Sequence, residues 1–527
     1  MATSRARVKE SFMSRLFSSI RAGFKEVWSN NMGKIGLSII VVIIGISIYA
    51  VATLPPDLPD RWNYQFAWSE YPKRVPPEWI KYFGVPIAKH EVYEDIKPKS
   101  YIIKNPQQSE VMLKYYYESI GKKSQILYGY IQEYKVEYKL EQEAFPTGLQ
   151  VFITPKNQSY ITYRGQNITI QAIPIILIER PDGLIIEAYE APTGFKLNEL
   201  SAITADPLTF GRELMNYYRE KGIESNLTDI DLKSLGIKLA FGEYLGGKHV
   251  KPLTGTYTIY LLIMYTGAPP NVIENAIRSG ELGIEKLSIV VMGSAYGLFG
   301  TDVMGRDLAL GIFYGFPVAV VIGLFAAVSS VLIGLVIGVI SGYYGGLIDE
   351  IIQRIIDILA NIPLLPILIL VGVAIQENPN YGPWSKLFII IGFLVILGWG
   401  GLAIIVRSMT LSIKAEPYIE AARAIGASNR RIIFRHIIPQ IIPYAMASLV
   451  FSVPGAIIIE AGLSVLGIEH GLPTWGKILA DAQANRGVAY TMWWWILPPG
   501  LMLAITSLAF VLLGLAIETI VEPRLRR

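Results

Sequence analysis

The stretch Leu308–Ile340, LALGIFYGFPVAVVIGLFAAVSSVLIGLVIGVI, contains no charged side chain. It exceeds the roughly 20 apolar residues that a helix needs to cross a bilayer. Working outward, comparable apolar runs lie at Ile35–Leu54 before it and at Ile355–Ile375, Leu387–Val406, Tyr444–Leu466 and Trp493–Ile520 after it. The sequence therefore predicts an all-α polytopic core of six transmembrane helices. Composition agrees: of 527 residues, 52% are hydrophobic and only 17% charged, against about 25% charged in soluble domains.

The flanking charges set an expected topology. Residues 1–34 are basic and carry an amphipathic pattern (Phe12, Leu16, Phe17, Ile20, Phe24, Val27, Trp28), which reads as a cytoplasmic anchor segment before helix 1 at 35–54. Six crossings return the C-terminus to the same side, and the 407–443 segment, rich in arginine, also falls inside. Trp493, Trp494 and Trp495 suit an aromatic belt at the membrane boundary.

Residues 55–295 differ in character, being polar, tyrosine-rich and near charge balance. In Tyr134–Leu140 apolar and charged residues alternate with period two, as a half-buried strand requires. Val151–Thr154, Tyr160–Arg164, Ile168–Ala172, Leu184–Tyr189 and the apolar Tyr257–Tyr265 read as further strands, and Ser109–Ile120 and Leu208–Lys221 as helices. The expectation is a large extracellular α+β domain inserted between helices 1 and 2, ahead of a helical core at 296–527. Three Asn-x-Ser/Thr sequons, Asn157, Asn167 and Asn226, all fall in it and are candidate N-glycosylation sites.

Several functions are excluded or disfavoured. The absence of cysteine removes disulfides, thiol nucleophiles and Cys-ligated metals. The four histidines are scattered and suggest no metal site, and a net charge of +4 gives no nucleic-acid footprint. Gly471-x-x-x-x-Gly476-Lys477 approaches a phosphate loop, but Ile478 replaces the hydroxyl residue and no strand precedes it. The chain is therefore not expected to be an enzyme. A membrane-anchored receptor with a ligand-binding ectodomain, or a secondary transporter, remains as an alternative of another class.

The most informative segment is Tyr418-Ile419-Glu420-Ala421-Ala422-Arg423-Ala424-Ile425-Gly426-Ala427-Ser428, followed by Arg435-His436-Ile437-Ile438-Pro439. Its small residues allow a short helix to approach another backbone closely, and Glu420 ahead of the arginines matches the helix dipole. This segment resembles the EAA loop of ABC importer permeases. Gly300-Thr301-Asp302-x-x-Gly305-Arg306-Asp307, Glu460-Ala461-Gly462-Leu463-Ser464-x-Leu466-Gly467, Pro473-Thr474-Trp475-Gly476 and Glu522-Pro523-Arg524-Leu525-Arg526-Arg527 resemble motifs of the dipeptide/oligopeptide subgroup in the same order. Ala309-Leu310-Gly311 departs from the subgroup's usual polar residues and arginine, and Ile438 replaces the common leucine.

The resemblance implies half of a substrate pathway, completed by a second permease subunit, for which a different chain is favoured over a second copy. Two cytoplasmic ATPase subunits would hold ATP and magnesium, with no cofactor on this chain, and an extracellular binding protein would deliver peptide, or oligosaccharide or metal as alternatives. Glu420, Ala421, Ala422, Gly426 and Pro439 would couple to an ATPase. Glu460 reads either as a pathway carboxylate or as a paired group holding helices together. Asp302, Arg306 and Asp307 read as a hydrogen-bonded corner or as substrate contacts, and Arg354 with Asp357 as a local ion pair. The resemblance does not extend to 55–295, for which a docking platform is favoured over a second substrate site.

Overall fold

The computed structural model describes residues 26–103, 129–156, 159–190, 195–199, 201–223, 227–376 and 378–521. Most of the basic N-terminal segment, the Ser109–Ile120 helix, Asn157, Asn226 and Glu522–Arg527 lie outside the described residues. The chain divides into two compact units: 26–65 with 308–521, and 66–307.

Helix α1 (Asn31–Thr53) starts at Asn30, whose side chain caps the Met32 N–H. After it, the short α2 (Leu58–Asn63) belongs with the membrane unit, where Asn63 Nδ2 donates to the Gly471 carbonyl at 2.8 Å.

The 66–307 unit is strand-rich and antiparallel throughout. In chain order its strands are β1 (Glu91–Glu94), β2 (Lys99–Ile103), β3 (Gly129–Leu140), β4 (Gly148–Pro155), β5 (Tyr160–Tyr163), β6 (Gln166–Thr169), β7 (Gln171–Glu179), β8 (Ile185–Glu190), β9 (Phe195–Lys196) and β10 (Ala202–Thr204). Helices α3 (Pro207–Glu220) and α4 (Asp229–Leu235) precede the hairpin β11 (Gly242–Gly246)–β12 (His249–Pro252). The long β13 (Gly255–Thr266), α5 (Pro270–Arg278) and β14 (Ile284–Met292) complete it. One sheet runs β1-β14-β4-β10, and the other β2-β3-β13-β7-β8 with β9 beside β7. Leu149, Val151, Ile153, Ile289 and Val291 of the first share a core with Val136, Tyr138, Ile259, Leu261 and Ile263 of the second, closed by Phe210 and Leu214 of α3.

Strand β13 is apolar on both faces because Tyr260, Leu262 and Met264 join Ile131, Ile175 and Leu177 in a second cluster. The alternation in Tyr134–Leu140 holds residue by residue, with Lys135, Glu137 and Lys139 outward. The expected Ile168–Ala172 strand is instead two strands: the chain leaves the β5–β6 hairpin at Ile170, whose N–H donates to the Ser159 carbonyl.

In the membrane unit, α6 (Leu308–Tyr344) is followed by α7 (Gly346–Asn361), α8 (Leu364–Gln376), α9 (Pro383–Gly398) and α10 (Gly400–Lys414). Then come α11 (Pro417–Ala424), α12 (Asn429–Val465, with a π-type turn at Ile433–Ile437), α13 (Trp475–Ala484) and α14 (Trp493–Val521). Among the described residues, five helical stretches are long and apolar enough to cross a membrane, and the α7–α8 pair raises the number to as many as six. The third apolar run, Ile355–Ile375, falls on this pair, which bends by 76° at its break. Pro363 is the cause, since the residue before a proline is driven out of the helical region, and Ile362 is extended at φ −76°, ψ 120°. The 407–443 segment is mostly helical.

Helices α6 and α10 approach through a glycine ladder on α6. A Cβ built on Gly334, Gly338 or Gly342 would lie 2.8 Å from Trp399 O, 2.6 Å from Ala403 O or 2.7 Å from Arg407 O. Small residues spaced by four place backbone against backbone where hydrophobic burial cannot drive helices together. Gly36 does the same for α1 against α14, where a Cβ would lie 2.6 Å from Ala509 O.

Candidate functional site

Helix α11 begins with Pro417, whose missing N–H is no loss at a helix start. Its end is fixed by backbone geometry. Ala427 N donates to Ala422 O and Gly426 N to Arg423 O, each at 3.0 Å, with Gly426 at φ +87°. This pair of bonds closes a helix through a left-handed residue, which glycine adopts without a Cβ clash. Ser428 then caps the start of α12 through the Arg431 N–H.

The segment rests on an apolar base. Ile419, Ile432, Ile433, Ile437 and Ile441 pack with Val339 and Tyr343 of α6 and Val406 of α10. Outward it presents Glu420, Ala421, Gly426 and Pro439, with Ala422 half-buried. Ile425 is 87% exposed and Phe434 69%. Two large apolar side chains thus face away from a firmly seated base.

Polar ties hold the base to its neighbours. Tyr343 Oη donates to Asn429 Oδ1 at 2.8 Å, and Lys414 Nζ to the Tyr343 carbonyl at 2.6 Å. Arg407 grips Asp349 with Nε and Nη2, both at 2.6 Å, and Ser341 Oγ also bonds Asp349. These partners come from α6, α7, α10 and α12, so sequence spacing gives no sign of them. The expected Arg354–Asp357 ion pair does not form among the described residues; both line an open groove at the end of α7.

The other predicted residues have partners of their own. Glu460 is buried in α12, and its Oε1 accepts from Ser464 Oγ at 3.1 Å, from Thr474 Oγ1 at 2.9 Å and from His470 Nε2 at 2.9 Å. In the strand-rich unit, Asp302 and Arg306 are buried and paired, Nε to Oδ2 at 2.5 Å, and Asp302 Oδ1 accepts the Met304 and Arg306 N–H groups. Thr301 bridges Asp307, and Thr301 Oγ1 donates to the Pro72 carbonyl at 2.7 Å. The Gly300–Asp307 motif is thus a corner folded on itself and on the 68–75 segment. Asn167 is exposed on β6, its side chain accepting from Thr162.

Residues 334–527 match the model of a protein family described as binding-protein-dependent transport system inner membrane component. The chain is 36% identical over 231 residues to the oligopeptide transport system permease protein of Bacillus subtilis, an alignment covering 44% of this chain and 72% of that protein. It is 35% identical over 234 residues to the dipeptide transport system permease protein of the same organism, covering 44% and 69%. A putative peptide transport system permease protein of Brucella suis is 34% identical over 263 residues, covering 50% and 81%.

Proposed function

Because the chain belongs to the ABC peptide permeases, the binding-protein-dependent inner membrane components, we propose that it forms half of the substrate pathway of an ATP-driven importer. A second, different permease subunit completes the path, and cytoplasmic ATPase subunits drive it. The observation that carries this reading is the seated helix α11, with Ile425 and Phe434 held outward on a buried isoleucine base. Such a surface suits a groove on a separate protein. A rigid mount turns displacement of the docked helix into movement of α6, α10 and α12.

The substrate is a peptide delivered by an extracellular binding protein, a reading supported by the oligopeptide and dipeptide transport of the relatives. The 66–307 unit is the docking platform for that binding protein.

Ile425→Asp tests the coupling. The side chain is too exposed to stabilise the fold, so the variant should insert normally yet lose co-purification with the ATPase subunits and substrate-stimulated hydrolysis. Full stimulation in a normally assembled complex would overturn the assignment.

A further inference from the structure

Between α12 and α13 the polar groups of one turn converge on a single atom. Glu460 Oε1 receives Ser464, His470 and Thr474. His470 Nδ1 accepts the Leu472 N–H at 3.1 Å, which leaves Nε2 as the donor directed at Glu460. Thr474 Oγ1 also accepts the Lys477 N–H at 3.2 Å and is the N-cap of α13. The carboxylate therefore reaches the start of α13 through that helix's own cap.

The neighbouring contacts leave α13 little freedom. Lys477 is 8% exposed, and its Nζ lies 2.6 Å from Glu469 Oε2 and 2.8 Å from Asp481 Oδ1. A Cβ on Gly476 would stand 2.5 Å from Ala461 Cα. Trp475 Nε1 donates to the Ile312 carbonyl at 2.9 Å, and its ring meets Phe316 edge-on. An apolar residue at 460 would fill the site without desolvating a carboxylate. The contribution of Glu460 is therefore geometric: it fixes where α13 begins.

We infer that Glu460 is a positioning residue whose carboxylate, acting through Thr474 and His470, locks α13 against α12 and so holds the outer end of the pathway closed. This rests on the importer reading only for what the lock closes.

The cysteine-free chain allows a direct test. Ala482→Cys places a reporter on α13 at a site 4% exposed, and Ala327→Cys a fold control on α6 at a site 1% exposed. Both are made in the reconstituted transporter complex and probed with an impermeant maleimide. Glu460→Ala should speed labelling at position 482 about tenfold or more, since one charge-assisted hydrogen bond corresponds to about that factor. Position 327 should stay protected, and preloaded peptide should leak without ATP. Glu460→Gln, which keeps an acceptor oxygen, should label more slowly than the alanine variant, and Thr474→Val reads the same link if Glu460→Ala does not assemble. Unchanged labelling at 482, or an equal rise at 482 and 327, overturns the lock. If the 482 reporter responds to Glu460→Ala while the Ala482→Cys complex with Glu460 intact shows no ATP-driven uptake, the importer reading fails and the lock stands.

Discussion

Gly338→Ala should loosen the membrane unit by an amount that follows from the geometry. The new methyl would stand 2.6 Å from the Ala403 carbonyl oxygen and 2.7 Å from Val406 Cβ, where contacts of about 3.5–4.0 Å are optimal. Helices α6 and α10 must therefore part by roughly 1 Å, and a gap of that size forfeits a quarter to a half of each dispersion contact along the seam. Overpacking of this kind costs about 1–3 kcal/mol. We expect about 2 kcal/mol in reversible SDS unfolding from mixed micelles. Gly392→Ala is the matched control, because a Cβ there meets nothing within 4 Å; it should change stability by less than about 1 kcal/mol. Equal unfolding midpoints for the two variants would refute the close approach.

In the strand-rich unit, the Asp231 carboxyl is pushed down to about 2 by its bond to Lys248 and then by those to Thr228. The unfolded value is about 3.9, so this contribution is present above pH 4 and is lost as pH falls towards 2; Asp231→Asn should flatten the acid limb of a near-ultraviolet circular dichroism titration, and matching acid midpoints would count against it. For topology, Asn167→Cys should label from outside intact cells and Arg430→Cys only after permeabilisation, both sites being exposed. Outside labelling at 430 would require a different number of crossings.

The membrane runs were legible because bilayer length is a one-dimensional constraint. Their bends were less so: the Ile355–Ile375 run reads as continuous unless Pro363 is weighed against it. Strand alternation exposed β3, whereas β14 was passed over because its apolar residues (Ile289–Met292) sit at the edge of the assumed domain. The Gly426 turn was foreshadowed by residue type alone. The partners of Glu460 were not, since His470 and Thr474 lie in a connection whose path depends on tertiary packing. The same holds for Asp349 and Arg407, which the sequence separates by two helices. The 334/338/342 spacing was visible in the sequence, but only the facing α10 backbone gives it meaning.

The meeting of α1 with α14 has a consequence for biogenesis. Asn30 Nδ2 donates to Thr519 Oγ1 across 489 positions of chain, and Gly36 leaves room for a backbone that is made almost last. At about 5–20 residues per second, the ribosome needs roughly 25–100 s to supply that partner. Throughout that interval the first helix waits in lipid with its glycine face uncovered, while the strand-rich unit has every residue it needs to fold. The seam between α1 and α14 therefore closes late, and an impostor helix has that long to occupy it.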